Sequence, residues 1–117
     1  IAMDYDPVAV SVAEENIHKN GVHNVAVFES DLLTACAGAS PAELIIANII
    51  ADIIIRLFDQ LDCHLAPGGV LLASGIIDDR IVDVERAAAA HGYTVLDMTC
   101  EKEWAAMIIR RSSELGC

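Results

Sequence analysis

Tyr93-Thr94-Val95-Leu96-Asp97-Met98-Thr99, then Glu101-Lys102-Glu103, then Trp104-Ala105-Ala106-Met107-Ile108-Ile109: this stretch decides the fold. Two strand-like runs are joined by a short charged turn that leaves no room for a helix. A parallel connection needs a crossover of roughly a dozen residues or more, so this pair must be an antiparallel hairpin. Upstream the pattern is different. Residues 1–4 form a short apolar strand ending in Asp4. Asp6 can cap a helix whose first turn holds Pro7, where a missing N–H costs nothing. Val10, Ala13 and Ile17 share one face of that helix, which stops at the left-handed terminator Asn20-Gly21. Val25 to Phe28 reads as a strand, with the turn Glu29-Ser30-Asp31 after it. A loose segment around Ala35 to Pro41 leads into Glu43-Leu44-Ile45-Ile46-Ala47-Asn48, a buried strand ending on a polar residue. Helical spacing returns at Ile50, Ile54, Leu57, Phe58, Leu61 and Leu65. Pro67-Gly68-Gly69 breaks it and launches Val70 to Ser74. Asp78 and Asp79 open a last helix, which Gly92 closes. The order β-α-β-β-α-β-α-β-β predicts an α/β fold: a parallel doubly wound sheet carrying an antiparallel C-terminal hairpin strand.

Composition agrees. Hydrophobic residues make up 55% of the 117 and aromatic ones only 4%, so the core is aliphatic. Long aliphatic runs without polar alternation are what strands covered on both faces look like. Acidic residues outnumber basic ones 18 to 7, and a net charge of -11 repels a phosphate backbone. Direct nucleic-acid binding is therefore not expected; the same field suits a basic protein partner, and equally it can be no more than the surface of an acidic protein. Cys36, Cys63, Cys100 and Cys117 are widely spaced with no C-x-x-C pair, which suggests neither a metal site nor a redox motif. Free thiols fit a reducing compartment. No stretch has the make-up of a secretory signal, and the apolar runs are too short and interrupted to cross a bilayer. The expected location is the cytoplasm, and no membrane partner is expected.

In doubly wound sheets ligands collect at the carboxyl ends of the strands. Asp4, Asp31 and Asn48 sit at such ends. A carboxylate there can accept both hydroxyls of an adenosine ribose; equally, Asp4 can belong to a helix-capping cluster with Asp6. An amide closing the strand Leu-Ile-Ile-Ala can accept a hydrogen bond from an amine nucleophile and orient its lone pair. The competing reading of Asn48 is a cap for the next helix. His18, His23, His64 and His91 fall on helices or helix ends, and none stands out as a general base.

The run Met3-Asp4-Tyr5-Asp6-Pro7-Val8-Ala9-Val10 resembles the signature that follows the second strand in the bacterial methyltransferases of large-subunit ribosomal protein eleven (the PrmA family). Glu15-Asn16 with Asn20-Gly21-Val22 is similar too, as is Ile46-Ala47-Asn48-Ile49-Ile50-Ala51. Pro67-Gly68-Gly69, Ser74-Gly75-Ile76 and Glu103-Trp104 follow in the family's order and at similar spacing. Pro-Gly-Gly and Asp-x-Asp-Pro are common among related enzymes; the combination with Ala-Asn-Ile and Ser-Gly-Ile is much more specific. The resemblance covers nearly the whole chain. It implies a Rossmann-like class I S-adenosylmethionine-dependent methyltransferase, with S-adenosylmethionine as donor and amino groups of a basic ribosomal protein as acceptors. Asp4 would hold the ribose, and Asn48 would sit beside the donor and the incoming amine. Asp31 falls where related enzymes bind the adenine edge, a position less uniform in this family. Ser74-Gly75 and Trp104 read as structural: a tight turn at a strand end and an aromatic packed on the sheet.

These enzymes also carry a first strand and a glycine-rich turn that holds the donor near a helix N-terminus, and nothing before Asp4 supplies them. Residues 1–117 are therefore expected to be a partial methyltransferase catalytic domain of a longer protein. In the family's strand order the missing strand lies between residues 1–4 and 43–48, whose exposed edges would let the fragment self-associate. Two alternatives remain. One is a methyltransferase for another amine or amide, although enzymes acting on glutamine or adenine amino groups usually follow the Asn with Pro-Pro and an aromatic, where this chain has Ile49-Ile50. The other is an inactive fragment acting through protein contacts.

Overall fold

Pro7 fixes its own φ near the helical value and needs no N–H partner, so helix α1 (Pro7–Lys19) starts there. In the computed structural model, which describes residues 1–36 and 38–115, the chain falls into two compact units divided between Ala39 and Ser40. The division falls within the loose segment at 35–41.

The first unit holds β1 (Ala2–Asp4), α1 and β2 (Val27–Glu29). The two strands are parallel, with Ala2 opposite Val27 and Asp4 opposite Glu29. The Asp6 carboxylate accepts the Val8 N–H at 2.9 Å and so caps α1. At the other end Asn20 closes the helix, and Gly21 turns the chain at φ 64°. The expected strand at Val25–Phe28 is shifted by two residues at its start, so Val25 and Ala26 precede β2. Beyond it Ser30 is buried. Its hydroxyl donates to Leu32 O at 2.8 Å and accepts from Ala35 N at 3.0 Å. That bond pair holds the turn in which Leu32 adopts φ 55°.

The second unit is a four-stranded sheet ordered β3-β4-β6-β5. It comprises β3 (Ala42–Asn48), α2 (Ala51–His64), β4 (Leu65–Ile77), α3 (Ile81–Ala90), β5 (Tyr93–Glu101) and β6 (Trp104–Arg111). β3 and β4 are parallel, whereas β6 is antiparallel to both of its neighbours. The hairpin predicted from its short turn is present, with Glu101 opposite Trp104 and Lys102 at φ 55° in the turn. Helices α2 and α3 supply Ile54, Leu57, Phe58, Leu61, Val84 and Ala88 to the core; the sheet supplies Leu71, Ala73, Ile76, Met107 and Ile109. Full burial contributes about 1.5–3 kcal/mol for each of the larger of these side chains, and less for the two alanines. Arg111 fastens the end of α2, its guanidinium donating to the carbonyls of Asp62 at 3.0 Å, Leu65 at 2.8 Å and Ala66 at 3.1 Å.

Three local expectations are corrected. β4 begins at Leu65, not Val70, because Pro67-Gly68-Gly69 forms an irregularity inside the strand: pairing moves from Ala42–Leu65 to Leu44–Val70. Only glycine fits at 69, where a Cβ would lie 2.7 Å from Ala66 O. Ile50 is the N-cap of α2 and 61% exposed, so it is not part of that helix's buried face. Asp78 and Asp79 lie in a 3-10 turn (Asp78–Arg80) that precedes α3.

Candidate functional site

Asn48 is the last residue of β3, opposite Ser74 of β4. The Ile49 N–H donates to Ser74 O at 3.2 Å, which continues the pairing one step past the strand. On its other side β4 bulges: Ala73 faces Met107 and Ile76 faces Ala105, so Ser74 and Gly75 together span the place of Ala106. Gly75 adopts φ 81°, and a Cβ there would sit 2.8 Å from Asn48 Oδ1 and 3.0 Å from Ile49 O. The carboxamide thus rests on a residue with no side chain. Asn48 is exposed, and among the described residues its carboxamide has no hydrogen-bond partner. The N-cap of α2 is Ile50, with no side-chain cap bond. The helix-cap reading of Asn48 therefore does not hold.

Beside Gly75 lies a shallow depression of about 230 Å³ lined by Ile50, Asp52, Gly75, Ile77, Arg80 and Trp104. Arg80 crosses it, with Nη2 at 2.6 Å from Asp52 Oδ1 and Nε at 2.8 Å from Asp83 Oδ2. The bond to Asp52, followed by that to Asp83, raises the Arg80 pKa further. Trp104, expected to pack on the sheet, is 48% exposed at this rim. Sequence reading missed the depression because Ile50, Ile77 and Trp104 look like core residues when only their apolarity is counted. The available signal was Gly75, read only as a turn.

Asp4 ends β1 in the first unit and is exposed. Its Oδ1 accepts the Asp6 N–H at 2.9 Å, so the carboxylate has a fixed orientation, and Asp6, not Asp4, caps the helix. Asp31 lies past the end of β2, in the turn held by Ser30, and its carbonyl accepts from Thr34. The histidines play other parts. His23 lies in the loop after α1, not on a helix. His91 Nδ1 faces Ala87 O at 2.8 Å and Nε2 faces Asp59 Oδ1 at 2.8 Å. Both neighbours are acceptors, so the doubly protonated ring suits them best; the bond to Ala87, then that to Asp59, raises the His91 pKa. Among the described residues no group of His, Cys, Asp and Glu could hold a metal. Cys36, Cys63 and Cys100 are free thiols; Cys117 lies outside the described residues. No helix among the described residues is long and apolar enough to cross a membrane.

The sequence pattern of the family described as ribosomal protein L11 methyltransferase (PrmA) matches residues 1–112. The chain belongs to this family. It is 42% identical over 113 residues to the ribosomal protein L11 methyltransferase of Heliobacterium modesticaldum, covering 96% of this chain and 35% of that protein. With the relative from Caldanaerobacter subterraneus it shares 44% over 108 residues, or 92% of this chain and 34% of that protein. The chain thus spans about a third of the length of these PrmA relatives. A crystal structure of ribosomal protein L11 methylase from Lactobacillus delbrueckii subsp. bulgaricus superimposes with a TM-score of 0.85 at 32% identity, covering 94% of this chain and 56% of that one. More distant methyltransferases share the fold alone, as with the enzyme from Pyrococcus furiosus at a TM-score of 0.73 and 18% identity. The fold is that of the Rossmann-like class I methyltransferases, a mixed sheet with antiparallel C-terminal strands.

Proposed function

We propose that the protein transfers methyl groups from S-adenosylmethionine to amino groups of ribosomal protein L11 in the cytoplasm, and that residues 1–117 form part of its catalytic domain. The observation that carries this reading is the exposed Asn48 carboxamide, without a hydrogen-bond partner among the described residues and seated on Gly75 at the carboxyl end of β3. S-adenosylmethionine, when bound, supplies a methyl group already activated on a sulfonium. The chain's own residues then have to bind and align. Asp4 fits a ribose diol, because its carboxylate is exposed and held in one orientation by the Asp6 N–H. Asp31 is the adenine-side candidate in the same unit. Asn48 Oδ1 accepts an N–H of the neutral acceptor amine and directs its lone pair; the Gly75 surface leaves room for that approach. The acceptor's proton passes to solvent, since no histidine or carboxylate of the described site bonds to Asn48.

Asn48→Ala is the test, assayed in the protein as its genome encodes it. Turnover is expected to fall about 10- to 100-fold, because a small misplacement of the nucleophile costs this much. Affinity for S-adenosylhomocysteine, measured by calorimetry, should fall far less. Full activity would remove Asn48 from the reaction, and equal losses would make it a donor-binding residue only.

A further inference from the structure

Ser30 is polar yet only 6% exposed, while its neighbours on both sides, Glu29 and Asp31, are exposed. A buried hydroxyl costs stability unless its hydrogen bonds are made. This one donates to Leu32 O at 2.8 Å and accepts from Ala35 N at 3.0 Å. The backbone enclosed by those bonds is strained. Leu32 adopts φ 55°, a conformation unfavourable for a residue with a side chain and kept only where the surroundings impose it. Strain of this kind gathers at ligand sites, and here it adjoins Asp31.

The same turn is fastened to the strand that carries Asp4. The Ser30 N–H donates to Asp4 O at 2.9 Å, and at the far end of the turn the Cys36 thiol donates to Met3 Sδ at 3.2 Å. Met3 and Asp4 are the last two residues of β1. Two exposed carboxylates thus stand at the carboxyl ends of neighbouring strands, one oriented by the Asp6 N–H and the other carried on a turn that Ser30 shapes. A nucleoside that meets both binds well only when their relative placement is fixed beforehand, since ordering them on binding costs affinity. The main-chain bond to Asp4 O does not depend on the side chain at position 30. The hydroxyl's own contribution is the shape of the turn that carries Asp31.

We infer that Ser30 is a positioning residue for the methyl donor: its hydroxyl imposes the strained turn at Leu32 and so holds Asp31 in fixed relation to Asp4. The inference rests on the reading of those two carboxylates as donor-binding residues.

The test is the Kd for S-adenosylhomocysteine, measured by calorimetry in the protein as its genome encodes it, with methyl transfer assayed in parallel. Ser30→Ala should raise this Kd about 5- to 20-fold through loss of the two hydroxyl bonds. At saturating donor, kcat and the acceptor KM should stay within about two-fold of their original values. Val84→Ala, which hollows the core of the second unit, controls for lost stability: it should lower Tm and leave the Kd unchanged. With Asp31→Ala already in place, Ser30→Ala should cost little more, because the residue through which it acts is gone. Leu32→Gly removes the strain, since glycine adopts φ 55° freely; should Ser30→Ala alone fail to fold, the comparison is made in that background, where it should again raise the Kd. An unchanged Kd, a loss matched by Val84→Ala, or a loss additive with that of Asp31→Ala would each overturn the positioning role. If Asp4→Ala and Asp31→Ala weaken binding while Ser30→Ala does not, the inference fails alone. If both aspartate variants bind with unaltered affinity, the reading of the donor site fails and takes the inference with it.

Discussion

Gly75→Ala should damage the protein twice, once through the backbone and once through Asn48. At φ 81° a Cβ is strained regardless of its surroundings, at a cost of about 1–2 kcal/mol. The added methyl also meets Asn48 Oδ1 at 2.8 Å, Ile49 O at 3.0 Å and Ile49 N at 3.3 Å. The carboxamide can swing aside, but the Ile49 backbone is tied to Ser74 O at 3.2 Å and yields less easily. Overpacking of this kind adds about 1–3 kcal/mol. Gly92 provides the control: its φ is 83°, and a Cβ there meets nothing within 4 Å. Gly92→Ala should therefore show the backbone cost alone, while Gly75→Ala should be less stable by roughly a further 1–3 kcal/mol in urea denaturation. Displacing Asn48 should also cut kcat by about 10- to 100-fold, whereas Gly92→Ala should leave kcat near its original value. Equal stability of the two variants, with kcat retained in both, would refute the placement of Asn48 on Gly75.

Asp4→Ala should weaken donor binding by about 1.5–3 kcal/mol, the cost of a lost hydrogen-bonding carboxylate; unchanged affinity in calorimetry would remove Asp4 from the donor site. His91 should make stability depend on pH. Its pKa is raised, so its contribution is complete below the ordinary histidine value and disappears as pH rises through the raised one. Because Asp59 is 73% exposed, the effect is about 0.5–1 kcal/mol at most. The difference in stability between the protein and His91→Ala should shrink between mildly acid and mildly alkaline pH, and a difference independent of pH would refute the charged pairing. Finally, among the described residues β3 pairs with β4 alone in its sheet, and it exposes Leu44 and Ile46, so the 117-residue chain alone should self-associate in light scattering and Ile46→Lys should suppress it. A monodisperse monomer without the substitution would contradict this.

Much of the second unit was legible because its signals are local. The charged run Glu101-Lys102-Glu103 is too short for a helix and forces the hairpin, with Lys102-Glu103 as its turn, and the spacing of Ile54, Leu57, Phe58 and Leu61 marks the buried face of α2. What escaped depends on pairing between distant segments. The bulge at Ser74-Gly75 exists only relative to β6, and the irregularity at Pro67-Gly68-Gly69 only relative to β3. Ile50 shows the same limit: its apolarity suggested the core, but the chain is still extended there and the side chain is exposed. Asp4 and Asn48 were legible as candidates because they close apolar runs, and the structure does place both at strand ends. Asp52 and Arg80 were not, since they lie 28 positions apart and meet only in the folded chain.

The most direct measurement is the mass of purified ribosomal protein L11 after incubation with S-adenosylmethionine and the protein as its genome encodes it. The expected result is a gain of whole methyl groups on amino nitrogens that requires the donor and is strongly slowed by Asn48→Ala. An unchanged mass, with the protein folded and the donor bound, would contradict the proposed activity.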